Sequence, residues 1–226
     1  MRNILTFAAL AALACSCATS FQQIATVSDS RGNIPGDGIH RVESGGVEVS
    51  FDFWSSFGRA DIVIDNKTGE DVAVDLSRTF LVANGLTEDY RAESTSADNL
   101  IWVPAGCRRA LRGPELMESP YRKCGYARNP SYRKGEDLNF DQKDSPLVFS
   151  VRVRLTDGGE FARSVQGDFY LSSLFNAPVS FTRESVTVKD PCNRRADPVT
   201  VKVGKFAAPY RFYVPYTVSS RYDSDR

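Results

Sequence analysis

Apolar and polar residues alternate along most of this chain with a period of two. Val47, Val49, Phe51 and Phe53 are separated by Glu48, Ser50 and Asp52. Leu147, Phe149, Val151, Val153 and Leu155 alternate in the same way with Ser150, Arg152 and Arg154, and Val199, Val201 and Val203 with Thr200 and Lys202. A strand sends successive side chains to opposite faces, so each run predicts a strand with one dry and one wet face. Shorter runs at 61–65, 72–76, 79–83, 101–103, 169–173, 185–188 and 210–217 predict further strands, and strand character begins at Phe21. No segment carries a sustained 3.6-residue stripe, although residues 115–119 have room for one helical turn.

Turn chemistry punctuates these runs. Asn66-Lys-Thr-Gly69 and Asp157-Gly-Gly159 read as hairpin connections, with Gly available for positive φ, and Asn84-Gly85 is a further turn signal. Many short strands joined by such turns predict an all-β fold, a β-sandwich. One stretch breaks the pattern. Residues 113–145 are rich in charge, Tyr, Pro and Gly and read as one long irregular loop, a length that in a compact domain points to function or disorder. The expected organisation is a single sandwich domain over 17–218 carrying that loop, with 219–226 as a flexible C-terminal tail.

The first sixteen residues read differently. Arg2 precedes an apolar run over 4–14 in which Thr6 is the one polar residue, and small residues then lead into Ala14-Cys15-Ser16-Cys17-Ala18-Thr19. A run of eleven residues is too short for a hydrocarbon core of about 30 Å, which takes roughly twenty helical residues. The order of charge, apolar run and small residues is that of an export signal over 1–16. A small residue before Cys also resembles a bacterial lipobox, whose Cys is acylated. Cys17 is the preferred lipidation position, with Cys15 the alternative register. More than one acyl chain, palmitate among them, gives a stable membrane anchor.

Composition adds limits. Removing the leader leaves about 210 residues, enough to bury a core without a metal. It takes away Arg2 and no acid, so 28 basic residues become 27 against 28 acidic. A balance near zero gives no footprint for nucleic acid. Cys107, Cys124 and Cys192 remain, an odd number. An exported chain meets an oxidising compartment, and a Cys124–Cys192 disulfide is the favoured pairing because it closes a long loop between irregular segments; the other two pairings stay open.

No catalytic residues, metal ligands or cofactor are expected. His40 is the sole histidine and reads as a loop residue, and there is no HExxH, Gly-x-Ser-x-Gly, phosphate loop or zinc-spaced Cys/His set. Asp29-Ser-Arg-Gly-Asn33 and the acidic turn from Asp65 to Asp71 put Lys or Arg where calcium wants oxygen, so both read as Asx-type turns. Trp54 and Trp102 lie in or beside strands and read as core rather than as a sugar platform. The strongest anomaly is basic. Arg108, Arg109, Arg112, Arg122, Lys123, Arg128, Arg133 and Lys134 occur with Tyr121, Tyr126 and Tyr132 interleaved. Cations beside aromatic faces suit an anionic glycan, a lipid headgroup or an acidic protein. The bland account is a solvated loop balanced by Glu136, Asp137, Asp141 and Asp144 downstream.

Cys17-Ala-Thr-Ser-Phe-Gln22, the segment from Asn66-Lys-Thr-Gly-Glu-Asp71 through Ser77, and Asp144-Ser-Pro-Leu-Val-Phe149 together resemble uncharacterised lipoproteins of Bacteroidetes bacteria. The Asn-Lys-Thr-Gly turn followed by an alternating strand is also similar to hairpins of immunoglobulin-like envelope domains. The resemblance implies an immunoglobulin-like β-sandwich, lipid-anchored in the bacterial cell envelope, at the outer membrane facing the periplasm. No acidic cluster follows Cys17 to mark surface export. The expected function is non-enzymatic: an envelope lipoprotein holding a protein partner or an anionic glycan close to the membrane. The alternatives are a carbohydrate-binding or carbohydrate-processing envelope protein, and a surface fibre or adhesin subunit offering an unpaired strand edge.

Overall fold

The computed structural model describes residues 19–90, 99–121, 137–157, 162–188, 199–204 and 208–218. Before the long irregular stretch the chain forms β1 (Thr19–Asp29), β2 (His40–Ser44), β3 (Val47–Asp52), β4 (Asp61–Asn66), β5 (Val72–Asp75), β6 (Phe80–Ala83), β7 (Leu86–Asp89), β8 (Leu100–Val103) and β9 (Arg108–Leu111). After it come β10 (Asp137–Asn139), β11 (Val148–Thr156), β12 (Ala162–Pro178), β13 (Arg183–Val188), β14 (Val199–Gly204) and β15 (Arg211–Val218). Among the described residues the remaining regular structure is two single 3-10 turns, at Leu76–Arg78 and Val179–Phe181.

The strands build an all-β sandwich of two antiparallel sheets. The larger runs β15-β1-β12-β11 and then divides: β5 and β6 follow one another along the free side of β11, with β8 beside β5 and β7 beside β6. β10 pairs with β12 at Phe175, Leu174 and Ser173. The smaller sheet is β2-β3-β4-β9, and β13 with β14 forms a separate two-stranded ribbon. The alternation read from the sequence decides which face is dry. Val47, Val49, Phe51 and Phe53 of the smaller sheet and Leu147, Phe149, Val151, Val153 and Leu155 of the larger are all buried.

Four phenylalanines join the two layers. Phe51 and Phe169 meet edge to face at 4.9 Å, Phe53 and Phe169 at 5.2 Å, and Phe53 and Phe149 at 5.4 Å. Edge-to-face pairs place a positive ring edge on a negative face and add about 0.5–1.5 kcal/mol each beyond the area they bury. Gly167 makes room for them: a Cβ there would lie 2.6 Å from Phe169 and 2.8 Å from Phe51. Its position in mid-β12 is therefore explained by ring packing.

Several elements differ from expectation. The predicted hairpin at 66–69 is a corner between sheets, because β4 belongs to the smaller sheet and β5 to the larger. The fully buried Asn66 amide holds that corner. Its Nδ2 donates to the carbonyls of Glu70 (2.8 Å) and Val103 (3.0 Å), and its Oδ1 accepts from Thr68 N (3.1 Å) and Oγ1 (2.6 Å). Asn84-Gly85 is the turn expected, and it forms a two-residue hairpin with φ of 48° and 85° and Ala83 opposite Leu86. Residues 115–119 do not form a helical turn. Glu115 bridges to Arg59, Leu116 is buried, and Met117 N–H donates to Phe57 O at 3.1 Å. The irregular stretch also contains a strand, β10.

One long side of the sandwich is sewn shut. Phe53 N–H donates to Pro209 O (2.8 Å), Phe57 N–H to Tyr213 O (2.8 Å) and Tyr213 N–H to Ser55 O (3.2 Å), tying the β3–β4 connection along β15. On the other side, β8 leaves the larger sheet and re-enters the smaller as β9 through a turn closed by Cys107 N–H to Pro104 O at 3.0 Å. Among the described residues, β7 pairs with β6 alone and β9 with β4 alone.

Two stability effects follow. Gly167→Ala should destabilise the fold by about 1–3 kcal/mol through overpacking, read from the urea midpoint. Asn66→Asp sets a buried carboxylate against the Glu70 and Val103 carbonyls and should cost about 3–5 kcal/mol at pH 7. That loss should shrink as the pH is lowered and the acid regains a proton to donate, whereas a pH-independent loss would mean that shape alone matters at the corner.

Candidate functional site

Of the eight basic residues singled out, the described part of the structure contains Arg108, Arg109 and Arg112. Arg122, Lys123, Arg128, Arg133 and Lys134 lie outside the described residues, with Tyr126, Tyr132 and Glu136. Arg108 and Arg109 sit on the edge strand β9, and both are exposed. Arg108 faces its cross-strand partner Asp65, Nη2 to Oδ2 at 2.7 Å, and this hydrogen bond pushes the Arg108 pKa further up. Arg109 lies opposite Ile64, on the core-facing side, yet at the edge it still reaches water. Asp137, Asp141 and Asp144 are exposed too, and Asp137 belongs to β10 on the other sheet.

Tyr121 serves the fold. The Gln23 side chain clamps its backbone from both sides, donating to Tyr121 O at 3.0 Å and accepting from Tyr121 N at 2.8 Å. Its ring meets Phe140 edge to face at 5.8 Å. These contacts pin the start of the irregular stretch to β1.

Trp102 is a correction. It is 46% exposed on β8, because Ile101 and Val103 take the buried positions and the pleat turns the residue between them outward. Trp54 is half-buried, tilted against Tyr213 at 5.5 Å. The two indoles do not share a core.

His40 is also corrected. It opens β2, is 4% exposed, and meets Phe169 edge to face at 5.2 Å. Its Nε2 lies 3.3 Å from Val27 O, so the neutral ring donates there in the Nε2–H form. Burial disfavours the charged imidazolium and holds its pKa below 6.5, outweighing the Val27 carbonyl and the Asp29 charge, which push up.

The two acidic turns are Asx-type turns, as their sequences predict. Asp29 Oδ1 accepts from Arg31 N (2.9 Å) and Asn33 N (2.8 Å). Partial burial pushes the Asp29 pKa up, but those backbone donors outweigh it and the net shift is downward. In the second turn Asn66 organises the backbone, and Asp71 accepts from Ala105 N at 2.9 Å. Among the described residues, no three His, Cys, Asp or Glu converge on a point where a metal could sit.

Among the described residues, clefts open at the ends of the sheets, and two of them carry polar linings. One, about 630 Å³, lies where Gly45, the 68–72 turn and the end of β11 meet; Glu70, Asp71, Asp157 and Arg163 give it charge, and Arg163 Nη1 donates to Gly45 O at 2.9 Å. The other, about 410 Å³, is lined by Asn84, Gln142, Ser150 and Asp168. Sequence reading missed the first because its residues come from three separate connections. His40 lines neither cleft.

Cys107 is exposed and unbridged in its turn. Cys15, Cys17, Cys124 and Cys192 lie outside the described residues. No family model, no curated protein and no solved structure matches this chain.

The buried histidine predicts a pH effect. A folded pKa below the unfolded 6.5 means that the unfolded chain binds the extra proton first. The His40 contribution is therefore intact above pH 6.5 and is lost as the pH falls through 6.5 toward the lower folded value. Urea unfolding between pH 7.5 and 5 should show that decline, and His40→Phe should remove it. The same slope in both proteins would place its origin elsewhere.

Proposed function

We propose that the chain is a lipid-anchored protein of the bacterial envelope whose β-sandwich binds a partner close to the membrane without chemical turnover. The observation that carries this reading is the strand that follows the lipobox-like segment. β1 starts at Thr19, two positions after Cys17, and is paired on both sides, with β12 and with β15. Gln22 to Ser28 are buried along it. With Cys17 acylated, no spacer would separate the lipid from a central strand, and the sandwich would stand against the headgroups.

Arg108, Arg109 and Arg112 on and just after an edge strand give such a domain a cationic margin, suited to an acidic partner or an anionic glycan. A carbohydrate ligand is the second reading. It is favoured by the 630 Å³ cleft, where carboxylates and a guanidinium stand together at a size that fits a sugar unit.

Metabolic labelling with an alkynyl fatty acid in a bacterial host tests the anchor. The wild-type chain and Cys15→Ala should take up label and partition into membranes, while Cys17→Ala should lose both. Label lost in Cys15→Ala but kept in Cys17→Ala would move the acylated position. Label absent from all three would overturn the anchored reading.

A further inference from the structure

Two of the sandwich's strand edges are chemical complements of each other. β7 reads Leu86-Thr-Glu-Asp89, is exposed along its whole length, and has Leu86 75% exposed at its start. β9 reads Arg108-Arg-Ala-Leu111, is exposed over its first three residues and half-buried at Leu111. Run antiparallel, the two align Leu86 with Leu111, Thr87 with Ala110, Glu88 with Arg109 and Asp89 with Arg108.

The backbone agrees with that register. Tyr90 N–H donates to Thr79 O at 3.2 Å, so in the β6–β7 ladder the hydrogen-bonded pairs are Thr79–Tyr90, Leu81–Glu88 and Ala83–Leu86. Thr87 and Asp89 therefore turn their N–H and C=O groups to the outer edge. Asn66 N–H donates to Cys107 O at 3.0 Å, so in the β4–β9 ladder Ile64–Arg109 and Ile62–Leu111 are the bonded pairs. Arg108 and Ala110 turn outward. The outward groups then meet as Thr87 with Ala110 and Asp89 with Arg108, the pairs the side-chain alignment requires.

The faces agree as well. Leu86 and Glu88 stand opposite Ala83 and Leu81, whose β11 partners Phe149 and Val151 are buried in the core. Leu111 and Arg109 stand opposite the buried Ile62 and Ile64. Leucine would pack beside leucine and Glu88 beside Arg109 on one face, with Asp89 beside Arg108 on the other. Opposite charges at facing positions stabilise a strand pair and like charges weaken it. Pairing β7 with β7 in the register that sets Thr87 against Asp89 would oppose Glu88 to Glu88, and pairing β9 with β9 in the register that sets Arg108 against Ala110 would oppose Arg109 to Arg109.

We infer that this chain associates with a second copy of itself by antiparallel addition of the β7 edge of one copy to the β9 edge of the next. The inference deepens the binding function proposed above by naming the partner. The contact is heterologous: each copy keeps a free β7 and a free β9, so assembly is open-ended unless a ring closes. Four residues on each side make a small contact, which attachment of the copies to one membrane would strengthen through effective concentration.

Charge reversal tests this on the full chain held in detergent, by sedimentation velocity over a range of protein concentrations and at low and high NaCl. The wild type should associate with rising concentration, less so in high salt. Glu88→Arg alone and Arg109→Glu alone should each weaken association at least tenfold, with unchanged circular dichroism and unfolding midpoint because both sites are exposed. Association should return when both reversals are placed in one chain, and when the two single variants are mixed, since each then offers the other a complementary edge. A wild type that stays monomeric, single variants that associate like the wild type, or reversals that fail to rescue would each overturn the inference. Loss of fatty-acid labelling leaves this result untouched, so the anchor and the self-association fail separately.

Discussion

The contact between Phe51 and Phe53 on one sheet and Phe149 and Phe169 on the other sets the spacing of the sandwich. Three of these rings come from strands or strand ends whose alternation forces them inward. The fourth needs Gly167 two residues before it, since any Cβ there would occupy ring space. With the layers fixed, the outer positions of each strand are fixed too. Arg152, for instance, is sent outward, where its guanidinium lies 5.4 Å from the centre of the Phe80 ring and donates to Gln166. His40 belongs to the same cluster, which makes a titratable group part of the inter-sheet contact and ties sheet packing to proton concentration.

The sandwich was legible because alternation is a local signal. Val47 to Phe53 and Leu147 to Leu155 declare their buried faces without reference to anything distant. Alternation predicts only 169–173 of β12, which spans 17 residues. Its earlier half alternates small and polar residues with Val165 and Gly167, and their burial depends on rings brought in from other strands. β2 and β7 carry no clear signal for a related reason: β7 lies at an open edge, with few residues committed to the core, and β2 is recognisable only through its Gly45-Gly46 hairpin to β3.

The site was less legible than the fold. A basic run in sequence does not say where its members go; Arg108 pairs with Asp65 on β4, a neighbour 43 residues away in the chain. Asn66-Lys-Thr-Gly69 has the residues of a hairpin turn, but the amide of Asn66 bonds across to Val103, and that tertiary contact converts the turn into a corner. Trp102 reads as core because it lies in a strand, and every residue of Leu100 to Val103 is apolar. An all-apolar strand hides which of its faces is outside until its partners are known. Complementarity between β7 and β9 is written in eight residues, yet it acquires meaning only with the parity of two separate ladders.

The double pairing of β1 has a mechanical side. Nine registered pairs tie it to β12 and eight to β15, with a single irregularity at Thr26–Val27. Tension applied at Thr19 along the strand axis would enter both ladders in shear, stretching their hydrogen bonds together instead of opening them one by one. A domain held by that end would resist being dragged open and would pass the force across its larger sheet.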